Sequence, residues 1–228
     1  MKKYTTLLLD VDETLLDFKL AENVSLKNAL TRAGIEPTDE RCSRYHVIND
    51  GLWKALERGE IEKERIKVKR FELFYEEFGF EGEPFHTAAF YVEELSKAGH
   101  LLNGARDFLD AIVGQFDVYA VTNGIQSVQQ GRFAAADINK YFKDVFISER
   151  VGYSKPDKRY FDYVLKAIPE KDVAKILVIG DSPTSDIKGA QNAGLDACWF
   201  CPGEKEYTGD KAPTYVARSY DDILNIIK

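Results

Sequence analysis

Tyr4-Thr5-Thr6-Leu7-Leu8-Leu9-Asp10-Val11-Asp12-Glu13-Thr14 passes abruptly from an aromatic, β-branched and apolar run into a polar, acidic one. A buried strand does this on reaching a functional loop. Similar short apolar runs recur at residues 116–121, 145–147, 176–179 and 197–200. From about Gly104 onwards they alternate with helical stretches at 128–136, 158–167 and 186–193, the last followed by Gly194, which suits a left-handed helix cap. The alternation predicts an α/β fold, a parallel sheet with helices on both faces.

Between residues 17 and 98 the strand-like runs disappear and helical spacing takes over. Leu26, Ala29, Leu30 and Ala33 fall at i, i+3, i+4, i+7, as do Phe71, Phe74, Tyr75 and Phe78. Gly34, Asp50-Gly51, Gly59 and the stretch 79–84 punctuate three or four helices. A helical insertion therefore separates the first strand from the rest of the sheet. Lys63, Arg65, Lys67, Lys69 and Arg70 interleave with Glu60, Glu62, Glu64, Glu72, Glu76 and Glu77, the pattern of a solvated helix face. Trp53 and its aromatic neighbours are expected to pack the insertion's core, one or two of them lining a pocket.

The chain has 228 residues and a formal charge of −7. At roughly 150 residues per domain that is one to two domains, enough for a substantial core without disulfides or structural metals. The acidic balance provides no broad positive field for a nucleic-acid polymer or an anionic membrane. Three cysteines, Cys42, Cys198 and Cys201, read as free thiols of a reducing compartment, and no second pair completes a metal site with the Cys198–Cys201 spacing. The apolar run before Asp10 is too short for a signal segment, so a cytoplasmic location is expected. Asn23-Val24-Ser25 matches a glycosylation acceptor only by accident on that reading.

In an open parallel sheet, ligands bind beyond the carboxyl ends of the strands. Four such ends carry chemistry here: Asp10 and Asp12, then Thr122-Asn123-Gly124, then Ser154-Lys155-Pro156, then Gly180-Asp181-Ser182 with Asp186. Asp10 and Asp12 lie two residues apart, on one side of an extended backbone. Crowded carboxylates divide into nucleophile and general acid unless a cation intervenes, although a strand-ending turn with Asx hydrogen bonds explains a lone pair equally well. Asp10, Asp181 and Asp186 together offer hard oxygen ligands suited to Mg²⁺; Asp186 also fits an acid stabilising its own helix. Lys155 is held extended by Pro156, which is placed to start the next helix, and brings a compact cation for a phosphoryl group. Thr122 and Asn123 supply further phosphate donors.

These residues match, in order, the four motifs of the haloacid dehalogenase-like hydrolases: Asp10-Val11-Asp12-Glu13-Thr14, Thr122, Lys155, and Gly180-Asp181-Ser182-Pro183-Thr184-Ser185-Asp186. The resemblance implies a Rossmann-like core over residues 1–16 and 99–228, with a C1-type helical cap inserted at 17–98. It implies Asp10 as nucleophile, Asp12 as general acid and base, Thr122 and Lys155 as phosphate holders, and a magnesium ion on Asp10, the Asp12 backbone carbonyl and Asp181. Asp12 separates this chain from the dehalogenase branch, which resembles it but lacks that second carboxylate. A narrower similarity, carried by Ile48-Asn49-Asp50-Gly51-Leu52-Trp53, Arg70-Phe71, Val121-Thr122-Asn123-Gly124 and Ile187-Lys188-Gly189-Ala190, is to the noncanonical pyrimidine 5′-nucleotidases. The expectation is a Mg²⁺-dependent phosphomonoesterase for nucleoside 5′-monophosphates. Sugar-phosphate or phosphoglycolate phosphatases and phosphomutases use the same motifs, and a phosphometabolite-binding module without catalysis is the rival of another class.

Overall fold

A computed structural model of the chain describes residues 3–228. Six parallel strands form one sheet: β1 (Thr6–Leu9), β2 (Asp117–Thr122), β3 (Asp144–Ile147), β4 (Ile176–Gly180), β5 (Asp196–Phe200) and β6 (Tyr215–Ala217), in spatial order β3-β2-β1-β4-β5-β6. β1 lies inside, with Leu9 opposite Ala120 on one side and Ile179 on the other. Its four residues are all buried, as a strand covered on both faces requires.

The two-residue period sorts each strand between two cores. Leu7, Leu9, Leu177, Ile179, Cys198 and Phe200 pack with α5 (Ala105–Ile112) and α10 (Tyr220–Ile227). Leu8, Val178, Ala197 and Trp199 face the opposite way, toward Tyr160, Phe161 and Val164 of α8 (Lys158–Ala167). Cys198 and Cys201 thus belong to different cores, and both are free and buried.

The α/β fold class holds, with corrections in detail. β6 and α10 were not anticipated. The helix expected over 186–193 is divided into a π-helical turn at Pro183–Ile187 and α9 (Lys188–Asn192). The Ser182 hydroxyl accepts from Ser185 N, while its carbonyl accepts from both Asp186 N and Ile187 N, widening that turn. Pro156 does not start α8; the Lys155–Pro156 peptide is cis, and Asp157 caps the helix by accepting from Arg159 N. Gly194 has φ +73° after the last turn of α9, the left-handed geometry expected of it.

Four helices occupy the insertion: α1 (Phe18–Arg32), α2 (Asp39–Glu57), α3 (Lys63–Phe78) and α4 (Pro84–Lys97). Their core contains Leu26, Ala29, Leu30, Phe71, Phe74 and Tyr75 and extends to Ile125 and, within α6 (Gln126–Ala135), to Val128 in the sheet-bearing part. Ser25 is buried within α1. Two expectations change here. Arg70 is 1% exposed rather than part of a solvated face, and Trp53 is half-buried along a cavity rather than inside the helical core. The chain enters and leaves the insertion side by side: Asp17 N donates to His100 O at 2.9 Å and Leu102 N to Leu15 O at 2.9 Å. No helix among the described residues is long and apolar enough to cross a membrane.

Candidate active site

β1 hands its backbone directly to the acidic loop, where Asp10 N still pairs with Ile179 O at 2.8 Å. Glu13 then takes φ +58°, turning the chain toward α1. The loop is fixed from the far side by α10, whose Tyr220 hydroxyl donates to Thr14 O at 2.8 Å. The same Tyr220 ring stacks on Phe108 and Phe200, so the unanticipated C-terminal elements help place the first motif.

Lys155 is the hub. Its buried ammonium donates to Asp10 Oδ1 at 2.7 Å, Asp186 Oδ1 at 2.6 Å and Val121 O at 2.8 Å. Its main chain is clamped by Asn123, whose Oδ1 accepts from Lys155 N and whose Nδ2 donates to Lys155 O. Asn123 lines the cavity, but its amide is spent on orienting Lys155 rather than being held ready for phosphate. The Thr122 hydroxyl oxygen accepts from Gly124 N and Gln129 Nε2, which leaves its own proton available for an acceptor.

Asp186 completes the bridge from the other side, its Oδ2 accepting from Ser182 N at 3.0 Å. Gly180 makes this approach possible, since a Cβ there would meet the Asp186 carboxyl at 2.4 Å. Oxygen atoms of Asp10, Asp181 and Asp186 all lie within 4.8 Å of one another. Three carboxylates then face one ammonium, an excess of two negative charges. Burial, reinforced by the neighbouring Asp186 charge, pushes the Asp10 carboxyl up to about 7. Asp181 is raised well above the ordinary carboxylate range by lost solvation and by Asp10 and Asp186. Burial alone would lower Lys155, but the charges of Asp10 and Asp186 prevail and raise it. An all-oxygen set with uncompensated negative charge fits a hard divalent cation such as Mg²⁺.

The side chain of Asp12 stands outside this trio, consistent with its place among the expected metal ligands resting on the backbone carbonyl alone. It is held instead by two buried residues of α6: Arg132 Nη1 donates to Oδ1, and Gln129 Nε2 donates to Oδ2 at 2.8 Å. Arg132 is anchored in turn by Nε on Ala98 O at 3.1 Å. Neither Gln129 nor Arg132 was singled out in the sequence, although they share a helix face at i and i+3 just after the second motif.

All the expected residues, Asp10, Asp12, Thr122, Asn123, Lys155, Asp181 and Asp186, line one cavity of about 200 Å³, together with Phe18, Trp53, Leu56, Glu57, Arg70 and Leu95 from the helical insertion. Lys63 ties the two parts together beside it, donating to Gly124 O at 3.2 Å and to Ser148 Oγ at the start of α7 (Ser148–Val151). Burial lowers its ammonium to about 8.

A buried carboxylate at the tip of a central parallel strand, a buried lysine bridging it to a second acid, and a helical insertion directly after it are the features to be matched to a class. The chain belongs to the haloacid dehalogenase-like hydrolases, whose family profile matches residues 4–194. Among individual proteins, it is 38% identical over 225 residues to the pyrimidine 5′-nucleotidase PynA of Streptococcus pneumoniae, covering 98% of this chain and 95% of that one. It is 30% identical over 225 residues to the pyrimidine 5′-nucleotidase YjjG of Escherichia coli, covering 99% and 98%. The crystal structure of the HAD-hydrolase YfnB from Bacillus subtilis, bound to magnesium, superposes with a TM-score of 0.93 at 38% identity and covers 99% of both chains.

Proposed function

We propose that the protein is a Mg²⁺-dependent phosphomonoesterase that works through an aspartyl-phosphate on Asp10 and acts on nucleoside 5′-monophosphates, pyrimidine ones foremost. The observation that carries the reading is the contact of Lys155 with Asp10 and Asp186 in the cavity where Asp12 is separately held by Arg132. Two carboxylates of different surroundings in one site support a division into nucleophile and acid. Residues 1–16 and 99–228 act as the catalytic core and 17–98 as the cap.

Asp10 attacks phosphorus in line while Asp12 protonates the departing alkoxide, giving the acyl phosphate and the free alcohol. Asp12, now the base, takes a proton from water, which attacks the phosphoryl group, regenerates Asp10 and releases inorganic phosphate. Lys155 and the Thr122 hydroxyl bind the phosphoryl oxygens. Asp10, Asp181 and Asp186 would hold Mg²⁺, which when bound neutralises charge on the transferring group. Uncatalysed hydrolysis of phosphomonoesters is slow enough to call for enhancements approaching about 10²¹, so positioning, charge and covalent relay must combine. The names of PynA and YjjG support the nucleotide preference.

The test is phosphate release from p-nitrophenyl phosphate and from a panel of pyrimidine, purine and sugar phosphates, with and without Mg²⁺. Turnover that needs Mg²⁺, favours pyrimidine nucleotides and vanishes in a folded Asp10→Asn protein is expected. Full activity of Asp10→Asn excludes the nucleophile assignment.

A further inference from the structure

Arg70, on the buried face of α3, lines the cavity. Its Nη1 donates to Asn49 Oδ1 at 3.2 Å, and its guanidinium lies 4.5 Å from the centre of the Tyr91 ring. Nε and Nη2 are buried without any hydrogen-bond partner. Those two N–H groups share one edge of the planar group and form a side-on fork. Glu22 is hydrogen-bonded to this cluster through Asn49 Nδ2 at 2.8 Å, its other oxygen being taken by His46 Nδ1 at 2.6 Å. Unpaired buried donors are costly, so an acceptor brought to this fork would be held strongly.

Two features choose the acceptor. The cap lines this cavity with the apolar surfaces of Phe18, Trp53 and Leu95, which a compact second anion would leave uncovered. Glu57 lines it too, and its charge opposes a carboxylate-bearing guest. A flat, neutral heterocycle with a ring carbonyl meets both conditions, covering the apolar wall and accepting from the fork.

We propose that Arg70 is the specificity-determining residue, donating from Nε–H and Nη2–H to a ring carbonyl of a pyrimidine-type leaving group that lies against Phe18 and Trp53. The inference rests on the nucleotidase reading and deepens it. Adenine has no ring carbonyl and leaves the fork unpaired, so an adenine nucleotide is rejected by the same contact that accepts a uracil one.

The experiment measures kcat and KM for the full chain and its Arg70→Met and Arg70→Lys variants, with Mg²⁺, on uridine 5′-monophosphate, adenosine 5′-monophosphate, ribose 5-phosphate and phosphoglycolate. Wild type is expected to prefer the uridine compound to the other three by about 100-fold or more in kcat/KM. Arg70→Met should lose at least about 30-fold more on it than on ribose 5-phosphate, with Arg70→Lys, a charge without the fork, between. Equal losses on both substrates, with the wild-type preference intact, overturn the role of Arg70 and spare the nucleotide reading. A wild type that favours ribose 5-phosphate or phosphoglycolate overturns the nucleotide reading itself. Should Arg70→Met fail to fold, a 5′-monophosphate carrying phenyl in place of the base decides on wild type alone: turnover equal to the uridine compound overturns the proposal, and a loss of about 10-fold or more supports it.

Discussion

Arg132 holds Asp12: a wholly buried guanidinium on α6 donates to the carboxylate of the first motif and is itself fixed to Ala98 O, the carbonyl that follows the last cap helix. The proposed acid and base is thereby referred to both the core and the end of the cap.

Replacing Arg132 by Met should lower kcat about 10- to 100-fold and move KM for the same substrate less than about threefold, because orientation of the acid is lost and substrate contacts are not. Asp12→Asn sharpens the test. With p-nitrophenyl phosphate, whose leaving group needs no proton, it should give a burst of nitrophenolate followed by slow turnover, since the second step still needs the base. A linear trace at the wild-type rate contradicts the assignment.

Lys155→Met strands Asp10 and Asp186 as buried charges without their cation. Breaking such a pair typically costs about 3–5 kcal/mol, and urea unfolding should show a loss of that order. Adding Asp186→Asn removes one of the stranded charges and should restore part of it. A double variant no more stable than Lys155→Met means the carboxylate was not the source of the cost.

Asp181→Asn removes a carboxylate that burial and its neighbours disfavour in the charged form. Without divalent cation the variant should melt a few degrees above wild type, by about 2–4 °C per kcal/mol gained. Millimolar Mg²⁺ should raise the melting point of wild type and leave the variant nearly unmoved. Equal magnesium shifts in the two proteins exclude Asp181 as a ligand.

Lys63 gives a pH signature. Its folded value of about 8 lies below the ordinary 10.5, with burial as the main cause and Glu149, Lys67, Glu64 and Lys155 as its charged surroundings. Between these two values the unfolded chain keeps a proton that the folded chain has released, so this group's contribution to stability rises with pH there. The stability difference between wild type and Lys63→Met should therefore grow in favour of wild type from pH 8 to 10. A flat difference over that range removes the burial argument.

The legible parts were those written in short local patterns. Strand runs ending in acids, and a lysine before a proline, identify Asp10, Asp12, Lys155 and Asp181 because the fold sends such ends to one edge of the sheet. Arg70 was hidden by its charged neighbours, yet Ile66, Arg70, Phe71 and Phe74 fall on one helix face, and that spacing carried the signal. Gln129 and Arg132 were not legible at all: polar helix residues default to the surface, and their partner lies 117 and 120 residues away. β6 escaped because three residues are too few for a period, and the split of the 186–193 helix depends on hydrogen bonds to Ser182 that composition does not announce.

The paired crossing of residues 15–17 with 100–102 gives the insertion a single doorway. Because both ends of the excursion leave the sheet at one spot, a different helical module with equally close termini could be spliced there without re-registering a strand, provided that it also covers Ile125 and Val128 and holds Arg132.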